Sequence, residues 1–176
     1  ALLAIAGAGT GYRSAQALPT TGGNGSGLTV DITVSTGTVN ALGAISAGGS
    51  GYAATGTAVA TTSTGAGTGL TVDFTATAGV VDSVTINTAG DAAYAEGDVI
   101  TITGAGANAT FTIDSGMVTG PITAAVSNVG GTLYEANDTV TVTQSGGAAG
   151  TLTVSTVQDT SIAIQDAYDW WTNTNT

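Results

Sequence analysis

The most regular feature of the chain is an alternation of apolar and polar side chains with a period of two. It is clearest in Leu28-Thr29-Val30-Asp31-Ile32-Thr33-Val34, Leu70-Thr71-Val72-Asp73-Phe74 and Thr151-Leu152-Thr153-Val154. β-Branched residues dominate these runs. The alternation turns one set of side chains toward a core and the other toward water or a neighbour, so each run predicts a half-buried β-strand. Shorter runs of the same kind, Val99-Ile100-Thr101-Ile102 and Ala109-Thr110-Phe111-Thr112-Ile113, lie between Gly-rich stretches. No segment has a persuasive helical period, and only from Ile162 to Trp171 do helix and strand readings compete.

The strand pattern recurs. Tyr12, Tyr52, Tyr94 and Tyr134 are separated by 40, 42 and 40 residues, and each follows a turn of glycines or small residues. Downstream of each tyrosine come an alternating segment, a Gly-rich turn, a second alternating segment, a turn and a third. The predicted fold is therefore all-β: four tandem units of about 40 residues, each a three-stranded antiparallel meander, stacked as a repeat or sandwich-like array. The units span 1–46, 47–87, 88–127 and 128–164, and an aromatic tail occupies 165–176. Glycines cluster at equivalent turns, as in Gly22-Gly23-Asn24-Gly25, Gly65-Ala66-Gly67, Gly104-Ala105-Gly106 and Gly146-Gly147. A positive φ at hairpin turns is the expected reason for them. A phosphate-binding loop is excluded, because such a loop must open a helix and these turns lead into strands.

The unit resembles repeats in virion structural proteins of tailed phages, marine cyanophages in particular. The residues that carry the resemblance are Gly49-Ser50-Gly51-Tyr52, Gly79-Val80-Val81-Asp82-Ser83-Val84-Thr85-Ile86 and Tyr94-Ala95-Glu96-Gly97-Asp98-Val99-Ile100-Thr101-Ile102. It covers residues 7 to 164. The first two units lack the Gly-Asp that follows the tyrosine, and the fourth has Asn137-Asp138 instead, so the end units are expected to act as caps or contact points. The resemblance implies a passive role on a capsid, tail or fibre, with homotrimeric packing as the first expectation, and no chemistry.

Composition narrows the function classes further. One Lys or Arg stands against twelve Asp and Glu, a formal net charge of −11, and Arg13 is the only basic side chain. A uniformly acidic surface repels phosphates, so nucleic acid is excluded as a partner. The chain has neither Cys nor His, which removes disulfides, thiolate and imidazole metal sites and every catalytic scheme that needs them. No apolar run approaches the roughly 18 to 20 residues that span a bilayer. The start lacks the basic residues of a signal peptide, and the missing initiator Met points to a processed or trimmed product. With almost no trypsin sites and a Thr/Ser-rich surface, the chain suits a virion surface or another extracellular setting.

The candidate residues are few. Asp98 and Asp138 stand four residues after their tyrosines, where an Asp accepts backbone N–H bonds in a turn; calcium is the weaker alternative, with Glu96 and Glu135 as helpers. Asp31 and Asp73 fall on the outward side of equivalent strands, as solvated charges or as guards against edge-to-edge pairing. Tyr168, Trp170 and Trp171 concentrate the chain's aromatic side chains in the tail and form the candidate interface, as opposed to a cap over the last repeat; carbohydrate stacking is a third reading. No catalytic residue and no cofactor are expected. The expected partners are copies of the chain itself and other virion or surface proteins. The competing expectation is a secreted cell-surface filament subunit or adhesin.

Overall fold

The computed structural model describes residues 2–104 and 106–157. Every regular element in them is a strand. In chain order these are β1 (Leu2–Thr10), β2 (Ala15–Thr21), β3 (Ser26–Thr33), β4 (Thr36–Val39), β5 (Ile45–Ser50), β6 (Thr55–Ser63), β7 (Leu70–Thr77), β8 (Val80–Ala89), β9 (Tyr94–Ala95), β10 (Val99–Ile102), β11 (Ala107–Thr112), β12 (Val118–Thr119), β13 (Ala124–Thr132), β14 (Thr139–Val142) and β15 (Ala148–Thr156). The chain is all-β and its pairings are antiparallel. The alternation in sequence is the alternation in burial: Leu28, Val30 and Ile32 are buried between half-buried Thr29 and Asp31, and Leu70, Val72 and Phe74 repeat the pattern.

The pairing differs from a row of self-contained meanders. One six-stranded sheet has the order β1-β15-β14-β2-β3-β13 and the other β5-β11-β10-β6-β7-β8, with a small third sheet β12-β4-β9. The first therefore combines strands from the two ends of the described chain, and the second combines strands from its middle. We call them the outer and inner sheets. Around each tyrosine lie a preceding strand and a following hairpin: β1 with β2-β3, β5 with β6-β7, β8 with β10-β11, and β13 with β14-β15. The hairpins pair locally, as short connections dictate. Taking each tyrosine with its preceding strand and following hairpin as the unit, the preceding strand in each case lies against the hairpin of another unit. Both sheets thus follow one plan, with two hairpins back to back at the centre and each outer place filled by the other unit's strand.

Connection length explains the exchange. β7 and β8 are joined by the two-residue turn Ala78-Gly79, whose φ values of 52° and 84° are those of a type I′ hairpin. Here alone the third strand follows directly in sequence, so the meander expected for 47–87 exists as β6-β7-β8. The equivalent pair in the outer sheet, β3 and β13, is separated by residues 34–123, and the inner sheet is inserted at that point. The unit boundaries drawn at 46/47, 87/88 and 127/128 fall inside β5, β8 and β13. Each sheet also curls. Ile122 N–H donates to Ala8 O (2.8 Å) and Tyr52 N–H to Gly79 O (3.1 Å), drawing the two edges of each sheet together at one end. A single apolar cluster, including Val30, Val72, Ile100, Phe111, Val140 and Leu152, runs through both sheets.

Candidate functional site

The four register tyrosines are the best-defined side-chain sites in the structure. All four are buried, and each ring lies on the hairpin of the partner unit. Tyr12 Oη donates to Val142 O (2.9 Å) and accepts from Gly150 N–H (3.1 Å). Tyr52 does the same in the inner sheet, donating to Ile102 O (3.0 Å) and accepting from Ala109 N–H (3.2 Å). Tyr94 accepts from Leu70 N–H (3.0 Å), and burial pushes its phenol above the usual range. Tyr134 packs its ring against Gly25 and Gly131. The latches are reciprocal: Tyr12 grips the β14-β15 hairpin while Tyr134 grips β2-β3, and Tyr52 and Tyr94 do the same for β10-β11 and β6-β7.

This arrangement revises the reason for the turn glycines. Gly22, Gly23 and Gly146 do have positive φ, but Gly25, Gly67, Gly106 and Gly147 do not. At these four a Cβ would collide with the ring of Tyr134, Tyr94, Tyr52 and Tyr12 respectively. Their glycines are clearance for a ring, and each stands three residues before Leu28, Leu70, Ala109 or Gly150. That fixed offset was present in the sequence as a signal.

Asp98 and Asp138 each cap the turn after their tyrosine. Asp98 is buried and accepts Ala95 N–H (3.0 Å), and Asp138 accepts Glu135 N–H (3.0 Å) and, from the partner hairpin, Asn24 N–H (3.1 Å). They lie in different sheets, and among the described residues no group of three or more His, Cys, Asp or Glu is placed to hold a metal ion. Asp31 and Asp73 have a more specific task than solvated charge. Ala17 and Ala58 sit in bulges of β2 and β6 with φ of 53° and 49°, and their N–H groups donate to Asp31 (2.8 Å) and Asp73 (2.7 Å). Each carboxylate pins the extra residue that a bulge leaves without a ladder partner. The departures among units therefore sort differently from caps at the ends. Units 1 and 2 carry the bulge and its Asp, units 3 and 4 carry the turn Asp, and each sheet combines one of each kind.

A groove of about 370 Å³ opens where the outer sheet meets the loops of the inner one, lined by Ser14, Gln16, Asp31, Thr33, Glu96 and Ser115 among others. Its polar groups are partly engaged by the fold: Asp31 holds the bulge, and Ser14 Oγ accepts Val34 N–H (2.9 Å). Arg13, next to the groove but not lining it, is held by its backbone, whose N–H and C=O are clamped by the Gln144 side chain at 2.7 and 3.1 Å. The groove offers hydroxyls, an amide and two carboxylates, a set suited to hydrogen bonding. Tyr168, Trp170 and Trp171, expected as the interface, lie outside the described residues, as does the end of the fourth unit beyond Val157. No helix among the described residues is long and apolar enough to cross a membrane. No protein-family model matches the chain, and neither the curated proteins nor the solved structures provide a match.

Proposed function

We propose that this protein is a passive structural component of a virion surface, a capsid decoration or a tail or head fibre subunit that works by packing against copies of itself and other virion proteins. The observation that carries the reading is the interlocking of distant units. β1 is zipped to β15 from Leu2↔Thr156 to Thr10↔Ala148, and both six-stranded sheets are completed by strands exchanged between units. No unit of about 40 residues can leave without breaking backbone pairing in its partner, which gives a cysteine-free chain the durability an exterior protein needs. The acidic, lysine-free composition and the resemblance to phage repeats support the same setting.

Co-sedimentation of the purified chain with tailed phage particles, followed by imaging of the decorated particles, tests the proposal. Ordered copies on a capsid or tail, in rings or trimers, are the expected result. A chain that stays monomeric at high concentration and has no affinity for any particle would overturn it.

A further inference from the structure

The two sheets share a plan but not a surface, and the difference is concentrated on β13. In the inner sheet Asp73 faces Thr85 and Thr71 faces Thr88, and in the outer sheet the equivalent Asp31 faces Val126 and Thr29 faces Val129. Two outward threonines have become valines, 60% and 55% exposed. The turn that follows carries Leu133, 80% exposed, with φ of 66°. At the same place before their tyrosines the first two units have Gly11 and Gly51, with φ of 73° and 78°. A left-handed backbone suits glycine and strains a bulky residue, so a leucine here pays twice, in conformation and in exposure. Strain held together with an exposed apolar side chain points to an occupant.

The chain itself supplies one. Thr156, the last residue of β15, pairs with Leu2 of β1, and Leu2 is 63% exposed. Following the registers across the outer sheet, Thr156, Leu2 and Thr132 share one end, so the chain leaves the sheet at the end where Val129 and Leu133 stand. β1 and β13 are the sheet's two edges and approach each other, and neither contains a charged residue. Residues 158–176 carry three aspartates together with Ile162, Ile164, Tyr168, Trp170 and Trp171; β1 and β13 carry no carboxylate, and the one beside the face, Asp31 opposite Val126, is engaged by Ala17 N–H. The edges meet at the other end of the sheet, where Ile122 N–H reaches Ala8 O, but residues 158–176 can extend over about 60 Å, enough to reach β13 from the end of β15. We propose that the apolar face made by Val126, Val129 and Leu133 is the docking site for the C-terminal segment of the same chain, with Trp170 and Trp171 as its anchors.

Both tryptophans of the protein are in that segment, so their fluorescence reports docking directly. In the intact chain the emission is expected to be blue-shifted and protected from acrylamide, independently of protein concentration. The double variant Val129→Thr and Leu133→Ser should red-shift it and raise the quenching constant about three-fold or more. Leu133→Gly is the control for folding, because it removes the side chain while relieving the backbone; it should keep or raise the melting temperature and still release the tryptophans. Solvent-exposed emission in the wild type, or unchanged emission in all variants, would overturn the proposal. Protection that disappears on dilution as a dimer dissociates would overturn it too, assigning the face to a second copy.

Discussion

Gly147→Ala isolates the latch that joins the first unit to the fourth. The backbone at Gly147 is in a conformation open to any residue, so the substitution adds only a methyl group, placed 2.5 Å from Cε1 of Tyr12, 2.7 Å from Cδ1 and 2.8 Å from Cζ. Carbon atoms rest at about 3.5–4.0 Å, so the ring must retreat by about 1 Å. It has nowhere to go, because a Cβ at Gly150 would itself be 2.7 Å from Cε2, Cζ and Oη. A retreat of that size also stretches the bonds to Val142 O (2.9 Å) and from Gly150 N–H (3.1 Å) beyond useful length. Overpacking of about 1–3 kcal/mol and the loss of up to two bonds of about 1 kcal/mol each give a cost of about 1–5 kcal/mol. For a chain of this size that lowers Tm by about 2–20 °C. The assay is a double-mutant cycle by thermal and urea unfolding: in a Tyr12→Leu background Gly147→Ala should cost less than about 0.5 kcal/mol. Gly146→Ala is the contrast, since its cost of about 1 kcal/mol comes from a φ of 88° and should not depend on Tyr12. Equal costs for Gly147→Ala in both backgrounds would refute ring clearance as the reason for the glycine.

Asp73→Ala removes the acceptor for Ala58 N–H and for Asn87 Nδ2 (3.0 Å), and should lower stability by about 1 kcal/mol, read as a Tm loss of about 2–4 °C. Acid should weaken the fold through Asp82 and Asp91, whose carboxylates are held below their ordinary value of 3.8 chiefly by the hydroxyls of Thr75 and Thr77 and of Thr68. The folded values are depressed, so this stabilisation is present above pH 3.8 and lost as pH falls through the folded values; Thr75→Val with Thr77→Val should flatten the Tm profile there. Tyr94 has the opposite sign. Its folded value is raised above 10.0 chiefly by burial, so its contribution is complete below pH 10 and declines as pH rises through the folded value, a decline that Tyr94→Phe should remove from the alkaline melting profile.

Strand content was legible because β-structure writes its period directly into residues such as Leu28 to Val34, and the four tyrosines set the register. Pairing was not legible. A hairpin such as β14-β15 is local, but nothing in the composition of β1 says that its partner is β15, some 140 residues away, since antiparallel edges offer the same backbone groups to any strand. The insertion was equally hidden, because it depends on Ala78-Gly79 making a tight turn where the first unit continues into β4. Asp31 and Asp73 read as outward charges, which is where alternation places them. Their work on Ala17 and Ala58 needs a bulge that no propensity of alanine foretells. The turn glycines looked uniform in sequence, and only the rings of Tyr12, Tyr52, Tyr94 and Tyr134 set Gly147, Gly106, Gly67 and Gly25 apart from those with positive φ.

Native-state hydrogen exchange, followed peptide by peptide in the intact chain and in Gly147→Ala, tests the interlocking of distant units most directly. If the units are paired as first with fourth and second with third, β1, β2, β3 and β13 should lose protection together with β14 and β15 in the variant, while β6, β7, β8, β10 and β11 remain slow. Loss of protection that spreads instead from the fourth unit to its sequence neighbour, the third, and leaves β1 and β3 as protected as before would contradict the account.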